Sequence, residues 1–180
     1  MRIPDWRQWL RDERICREWF VSYEKRGVLR KDRLGKELYI RKSVHNLDFA
    51  SWLKGKHENE IPETFGEERF YDWVISACYY SIYHGALALL SKKGYSTKSH
   101  SATLCGIILL YFHRGKMLGK KDIELIEKSI NKDDIETIAK TKSLRERASY
   151  DVSANFELSL VERAIHDAAG FLQKVKEILE

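Results

Sequence analysis

Residues that break regular structure are scarce in this chain, which favours long helices. Only two prolines and ten glycines occur among its 180 residues. A chain of this length fits one domain and can bury a sizeable core. No alternation of apolar and polar residues is long enough to indicate a strand. The sequence therefore predicts an all-α fold, an antiparallel up-and-down bundle of four to five main helices with an extra N-terminal helix.

Cysteine is also scarce, and its spacing excludes two kinds of site. Cys16, Cys78 and Cys105 are odd in number and far apart, so they form neither a disulfide framework nor a zinc site. We expect reduced thiols in a cytoplasmic protein. The histidines have no metal-binding spacing, and the HExxH, P-loop, GxGxxG and GxSxG patterns are absent. We therefore expect no metal and no cofactor.

A long hydrophobic run is missing too, which argues against a membrane span. The uncharged stretch 74–90 is shorter than the ~20 apolar residues that a span needs, and it contains Ser81 and His84. No apolar segment follows Met1, so we expect no signal peptide. The stretch is better explained as a buried core helix.

The apolar part of the predicted central helix covers residues 70–90. Its apolar and aromatic residues recur at spacings of three and four along one stripe: Phe70, Trp73, Ala77, Tyr80, His84, Leu87 and Ser91. The other faces are also largely apolar, so other helices should enclose it on all sides. A capping box from Thr64 to Glu67 predicts its start, and Gly94 predicts its end.

The remaining helices are predicted from periodicity and caps. The N-terminal helix spans residues 5–25, and a basic connector leads to a helix at 36–54 and a charged loop at 55–62. Three segments follow the central helix: a helix capped by Ser96, Thr97 or Ser99, one or two short helices within 120–142, and a last helix opened by a capping box from Ser159 to Glu162. Residues 1–35 are thus a basic extension, and 36–180 are the bundle domain.

Positive charge is concentrated at the N-terminus. The net charge is +5, and residues 1–42 carry 13 Lys and Arg against 7 Asp and Glu. Such a segment could bind phosphates through salt-sensitive contacts. Alternatively, it is a solvated helix face with no specific partner.

Three segments, in this order, resemble the HEPN domain superfamily and its small stand-alone prokaryotic branch. They are ACYYSIYHGA at 77–86, KGYSTKSHS at 93–101 and LRERASYD at 144–151. The resemblance implies a helical bundle that is usually a homodimer and is often encoded beside a small nucleotidyltransferase, in a paired toxin–antitoxin-like system. Many members bind RNA or nucleotides. Some are metal-independent ribonucleases whose signature is Arg, four to six residues, then His.

This chain departs from that signature at its histidine. Arg145 is followed after four residues by Tyr150, and Ser149 stands where relatives usually carry Asp. Tyrosine, with a pKa of ~10, is a poor base near neutral pH. Tyr150 can still stack on a base, and Arg145 can still bind a phosphate. The pair therefore favours binding over cleavage. The structural alternative is that Arg145 pairs with Glu146 or with a helix end, while Tyr150 fills the bundle with its hydroxyl hydrogen-bonded.

Two histidines and a lysine are weaker candidates for the same nucleotide or RNA site. His84 shares a stripe with core residues, so it is either a satisfied core group or a site residue. His100 could bind an anion beside Lys98 at a helix start, although capping alone would explain Ser99.

We therefore predict a cytoplasmic, homodimeric protein that binds RNA or a nucleotide and acts with a nucleotidyltransferase partner. One alternative is a metal-independent ribonuclease toxin, in which Arg145 stabilises charge and His84 or His100 replaces the missing base. Another is a non-catalytic interaction module whose N-terminal aromatic residues dock onto a partner.

Overall fold

The computed structural model describes residues 5–32, 35–130 and 158–180, and within these ranges the protein is an all-α bundle, as predicted. Its helices are α1 (Trp6–Arg11), α2 (Glu13–Lys25), α3 (Lys36–Lys56), α4 (Glu60–Phe65), α5 (Tyr71–Lys92), α6 (His100–Ile107), α7 (Lys120–Ile130) and α8 (Leu158–Leu179). A π-helical segment, Ile108–His113, continues α6. The rest of the predicted short-helix segment, 131–142, lies outside the described residues.

Helix α5 is the central helix of the bundle. It packs against α3, α6, α7 and α8, and most of its side chains are buried. By length and composition alone it could cross a membrane, but 72% of its most apolar 18-residue window lies inside the protein. This is the environment of a core helix, as the sequence predicts.

One stripe of α5 is less enclosed than its sequence suggests. Trp73 is 52% exposed and Tyr80 is 50% exposed, whereas Ala77 and Leu87 on the same stripe are buried. His84 is intermediate between them. The prediction that neighbouring helices cover every face of α5 is therefore wrong at this stripe, where polar and aromatic groups reach the surface.

The start of α5 differs from the predicted capping box. Thr64 lies inside α4, which ends at Gly66 with a φ of 64°. Helix α5 begins five residues later, at Tyr71, and the side chain of Phe70 provides no cap. Instead, the backbone N–H of Phe70 donates to Nε2 of buried His57 at 3.0 Å. The side chain of His57, the C-cap residue of α3, therefore satisfies an N–H at the start of α5, where the sequence predicted a local capping box.

The N-terminal segment forms two helices instead of the single predicted one. The chain is extended at Asp12, with φ −135° and ψ 105°, and the Asp12 carboxylate accepts hydrogen bonds from the backbone N–H groups of Arg14 and Ile15. Asp12 is therefore the C-cap residue of α1, and its side chain caps α2. Gly27, with a φ of 65°, follows the end of α2.

Both N-terminal helices belong to the same hydrophobic core as the bundle. Their apolar residues contact α6 and the π-helical segment, and Trp9, Trp19 and Phe20 are buried. His113 of the π-helical segment donates from Nε2 to the carbonyl oxygen of Trp9 at 2.7 Å. The aromatic side of α1 and α2, which was one candidate surface for docking onto a partner, is therefore covered by the protein's own bundle.

A two-residue ladder is a small exception to the all-helical prediction. Arg30 pairs with Ser96, and Lys31 pairs with Tyr95, in antiparallel strands β1 (Arg30–Lys31) and β2 (Tyr95–Ser96). The connector after α2 is thereby joined to the turn after α5.

The last helix agrees with its predicted apolar pattern. Helix α8 begins at Leu158, so Ser159 lies in its first turn and not at the cap. Apolar residues at alternating spacings of four and three predict its core positions: Val161, Ile165, Ala168, Leu172, Val175 and Leu179. Ile165 is only partly buried, and the other five are buried against the bundle.

Candidate functional site

The residues predicted for the site fall into two groups. Arg145 and Tyr150 lie in the range 131–157, outside the described residues. His84 lies on α5, His100 is the first residue of α6, and Lys98 is exposed in the turn that precedes it.

Tyr83 brings the two histidines into one cluster. Its ring centroid lies 5.0 Å from that of His100 and 5.8 Å from that of His84, and both contacts are edge-to-face. This geometry is favourable for aromatic rings because it places a positive ring edge on a negative ring face. The cluster thus joins α5 to the start of α6.

The imidazole of His84 is oriented by its own helix. Its Nδ1 lies 2.7 Å from the carbonyl oxygen of Tyr80, which can only accept, so Nδ1 carries the hydrogen. The amide nitrogen of Asn46 is 3.5 Å from the same Nδ1, and in this tautomer it is a neighbour and not a donor. Nε2 has no hydrogen-bond partner among the described residues and can accept or, when protonated, donate.

The charge state of His84 depends on its surroundings. Partial burial lowers its pKa, the bond to the Tyr80 carbonyl opposes that change, and the positive charge of Lys42 lowers the pKa further. Burial penalises the charged form, and a nearby cation repels it. The neutral imidazole is therefore favoured near pH 7, and it is the form that can act as a base.

The imidazole of His100 is also oriented by a backbone carbonyl, which belongs to a different helix. Its Nδ1 donates to the carbonyl oxygen of Ile130, the last residue of α7, at 3.0 Å. The preceding residue, Ser99, caps α6 by accepting from the N–H of Ala102 at 3.3 Å, as one sequence interpretation proposed. Nε2 of His100 again has no partner in the described part of the chain.

Tyr83 is a phenol, not a phenolate, at neutral pH. Burial raises its pKa, and a hydrogen bond with Thr103 partly opposes this effect. The hydroxyl group is therefore available only as a neutral donor and acceptor. Its main contribution is to position the two imidazoles.

The sequence interpretation missed three members of this cluster. Aromatic residues at helical spacing, such as Tyr83, usually indicate packing, and Asn46 and Lys42 of α3 are not among the predicted site residues. Asn46 is held by a 2.9 Å hydrogen bond from its amide to the carbonyl oxygen of Lys42. Their spacing of four residues indicates a shared helix face, but only the pairing of α3 with α5 reveals that this face meets His84.

The arrangement fits an anion better than a metal ion. Lys42 and Lys98 provide positive charge, and two imidazoles each direct one nitrogen away from the carbonyl that orients the ring. Within residues 5–32, 35–130 and 158–180, no three His, Cys, Asp or Glu side chains converge as metal ligands would. The lysine ammonium groups can donate to phosphate oxygens, and each imidazole can do so from Nε2 when that nitrogen is protonated.

Comparison with known proteins identifies relatives of this chain. The sequence profile of the HEPN domain matches residues 52–178. A protein of Methanocaldococcus jannaschii that is named a putative toxin is 29% identical over 126 residues, which cover 70% of this chain and 77% of that protein. A protein of Archaeoglobus fulgidus named "UPF0332 protein" is 28% identical over 110 residues, which cover 61% of this chain and 77% of that protein.

Proposed function

Because this chain belongs to the HEPN domain family, we propose that it is a toxin-like protein that binds RNA or a nucleotide. The observation that carries this proposal is the cluster around Tyr83, where two imidazoles are each fixed through Nδ1 to a backbone carbonyl. Such fixation leaves Nε2 oriented for a ligand at little entropic cost. The relative named a putative toxin supports the toxin-like part.

The sequence supplies further groups for a phosphate ligand. The guanidinium of Arg145 can bind a phosphate through two parallel hydrogen bonds, and Tyr150 can stack on a base. His100 contacts Ile130, the last described residue before the range that contains Arg145 and Tyr150. We propose that these two residues, with His84, His100 and Lys98, form one binding site.

Titration with labelled RNA tests the binding proposal. We expect fluorescence anisotropy of a single-stranded RNA, measured in low salt, to show saturable binding by the wild-type protein. Loss of one bidentate phosphate contact costs about 1.5–3 kcal/mol, so Arg145→Ala should weaken binding by at least tenfold. Arg147→Ala is the matched control, because it removes the same charge two positions along the chain while leaving the Arg145–Tyr150 pair intact. A parallel titration with ATP tests the nucleotide alternative. Absence of binding of both ligands by the wild-type protein would refute the proposal.

A second candidate function, metal-independent RNA cleavage, is favoured by the state of His84. Its pKa is lowered and its Nε2 is unbonded among the described residues, which suits a general base. In this case Arg145 would stabilise the charge that develops on the scissile phosphate. We expect growth arrest on expression, abolished by Arg145→Ala and by His84→Gln. Harmless overexpression together with uncut RNA in vitro would leave binding as the activity.

We also propose that the protein is a cytoplasmic homodimer that works with a small nucleotidyltransferase. The exposed aromatic rings of Trp73 and Tyr80 on α5 support an interface, because such rings are enriched at protein contacts. Light scattering coupled to size exclusion should give twice the monomer mass, and a Tyr80→Glu substitution should reduce the measured mass to that of the monomer.

The product of the neighbouring gene provides the test of the nucleotidyltransferase partner. Co-purification of that product with this chain supports the pairing, and failure to co-purify contradicts it.

A further inference from the structure

Two buried thiols from distant parts of the chain lie in contact. The Sγ atoms of Cys16 on α2 and Cys105 on α6 are 3.9 Å apart, and neither residue has any solvent-accessible surface. Each thiol also points at the backbone of the other: Cys16 Sγ is 3.5 Å from the Cys105 carbonyl oxygen, and Cys105 Sγ is 3.4 Å from the Cys16 carbonyl oxygen. The third cysteine, Cys78, is buried elsewhere on α5.

The contact depends on how closely α6 packs. Gly106 follows Cys105, and a Cβ atom at that position would lie 2.7 Å from Leu90 Cδ2 and 3.6 Å from Phe20 Cε2. The absence of a side chain there lets α6 approach both α5 and α2. The two sulfur atoms are consequently brought together, although 89 positions separate them in the sequence.

We propose that Cys16 and Cys105 are a disulfide site that fastens the N-terminal helices to the bundle when a small disulfide such as oxidised glutathione is the oxidant. A disulfide bond is about 2.05 Å long, so the two sulfur atoms must approach by about 2 Å. Cys16 lies before the range that matches the HEPN domain, and Cys105 lies within it. The bond would therefore link the added segment covalently to the family domain.

The chemistry of this step is thiol–disulfide exchange. One cysteine thiolate attacks a sulfur of the oxidant and releases one molecule of thiol, giving a mixed disulfide. The second cysteine attacks that mixed disulfide and releases the second thiol. Overall, two electrons and two protons pass from the cysteine pair to the oxidant.

Access to the thiols determines when the reaction takes place. The hydrogen bond with Cys16 and, after it, burial raise the pKa of the Cys105 thiol, so the thiolate is rare in the closed protein. The exchange therefore requires the N-terminal helices to be detached, either during folding or in a local opening. Once formed, the bond is buried and resists reduction for the same reason.

Refolding of the full-length chain in a glutathione buffer tests the proposal. We expect tryptic peptides 15–17 and 99–114 to be recovered as one cross-linked pair, with Cys78 free in peptide 70–92. A bond that closes so long a loop should raise Tm by roughly 10 °C relative to the same protein refolded in reductant. Cys78→Ala should form the bond as the wild type does, and Cys16→Ala should not.

The wild-type peptide map decides the question even if Cys16→Ala fails to fold. Recovery of free Cys16 and Cys105 after oxidative refolding would overturn the proposal, as would a linkage that involves Cys78. An oxidised protein with the link but with an unchanged or lower Tm would show that the bond strains the core and would equally overturn it.

Discussion

The ring of His100 meets the ring of Tyr83 edge-on, with 5.0 Å between the centroids and 68° between the planes. The same imidazole donates from Nδ1 to the carbonyl oxygen of Ile130. Three helices, α5, α6 and α7, are thus joined at one side chain. The sequence predicts His100 at a helix start as a weaker candidate for the site, and the structure shows that its ring also connects these three helices.

Acidification should destabilise the protein partly through His84. Its pKa is lowered in the folded state, so the unfolded chain binds more protons below about pH 6.5, and folding stability must fall as pH falls through that range. The ring is only partly buried, so solvent screens the effect and keeps it small. Urea titrations at pH 7.5 and 5.0 should give a smaller loss for His84→Gln than for the wild type. His166→Gln, at an 88% exposed side chain, is the control and should match the wild type.

Substitution by alanine should have opposite effects on stability at two helical glycines. Gly106→Ala places a Cβ atom 2.7 Å from Leu90 and should destabilise the protein by about 1–3 kcal/mol, because the core must expand. Gly170 on α8 has no atom within 4 Å of an added Cβ, so Gly170→Ala should stabilise it by about 0.5–1 kcal/mol. Chemical denaturation measures the free energy of unfolding of both variants. Equal effects of the two substitutions would contradict the close packing of α6.

Removal of the His57 side chain should be costly. Its Nδ1 donates to the Leu53 carbonyl oxygen at 2.8 Å, and its Nε2 accepts from the N–H of Phe70. In His57→Ala the Phe70 N–H at the start of α5 loses its acceptor, so we expect a loss of about 1–3 kcal/mol of unfolding free energy. His166→Ala should change stability by no more than about 0.5 kcal/mol. If His57→Ala left the unfolding free energy unchanged, water would have replaced the imidazole as the acceptor of the Phe70 N–H.

Deletion of residues 1–30 should leave an insoluble or unfolded protein. Trp9, Trp19 and Phe20 are buried in the shared core, so their loss exposes the apolar surfaces of α6 and the π-helical segment. Solubility and far-ultraviolet circular dichroism of the truncated chain give the readout. A soluble, fully helical protein without this segment would instead support the partner-docking alternative.

Most of the fold follows from local features of the sequence. The scarcity of proline, the apolar spacing of α5 and α8, and the glycines at 27 and 94 are enough to predict an all-α bundle and several helix ends. The three segments that resemble the HEPN superfamily were also sufficient to identify the family. These signals can be read locally because helix formation depends on residues three and four positions apart.

Tertiary packing decided what local rules could not. The sequence predicted a capping box at Thr64, but the N–H that precedes α5 is satisfied by His57, which follows the end of α3. It offered a basic N-terminal extension, but packing placed Trp9 and Cys16 in the common core. The grouping of His84, Tyr83 and His100 likewise required α5 and α6 to meet. Such contacts join residues far apart in sequence, and their energies depend on the distances between surfaces that exist only once the helices have packed.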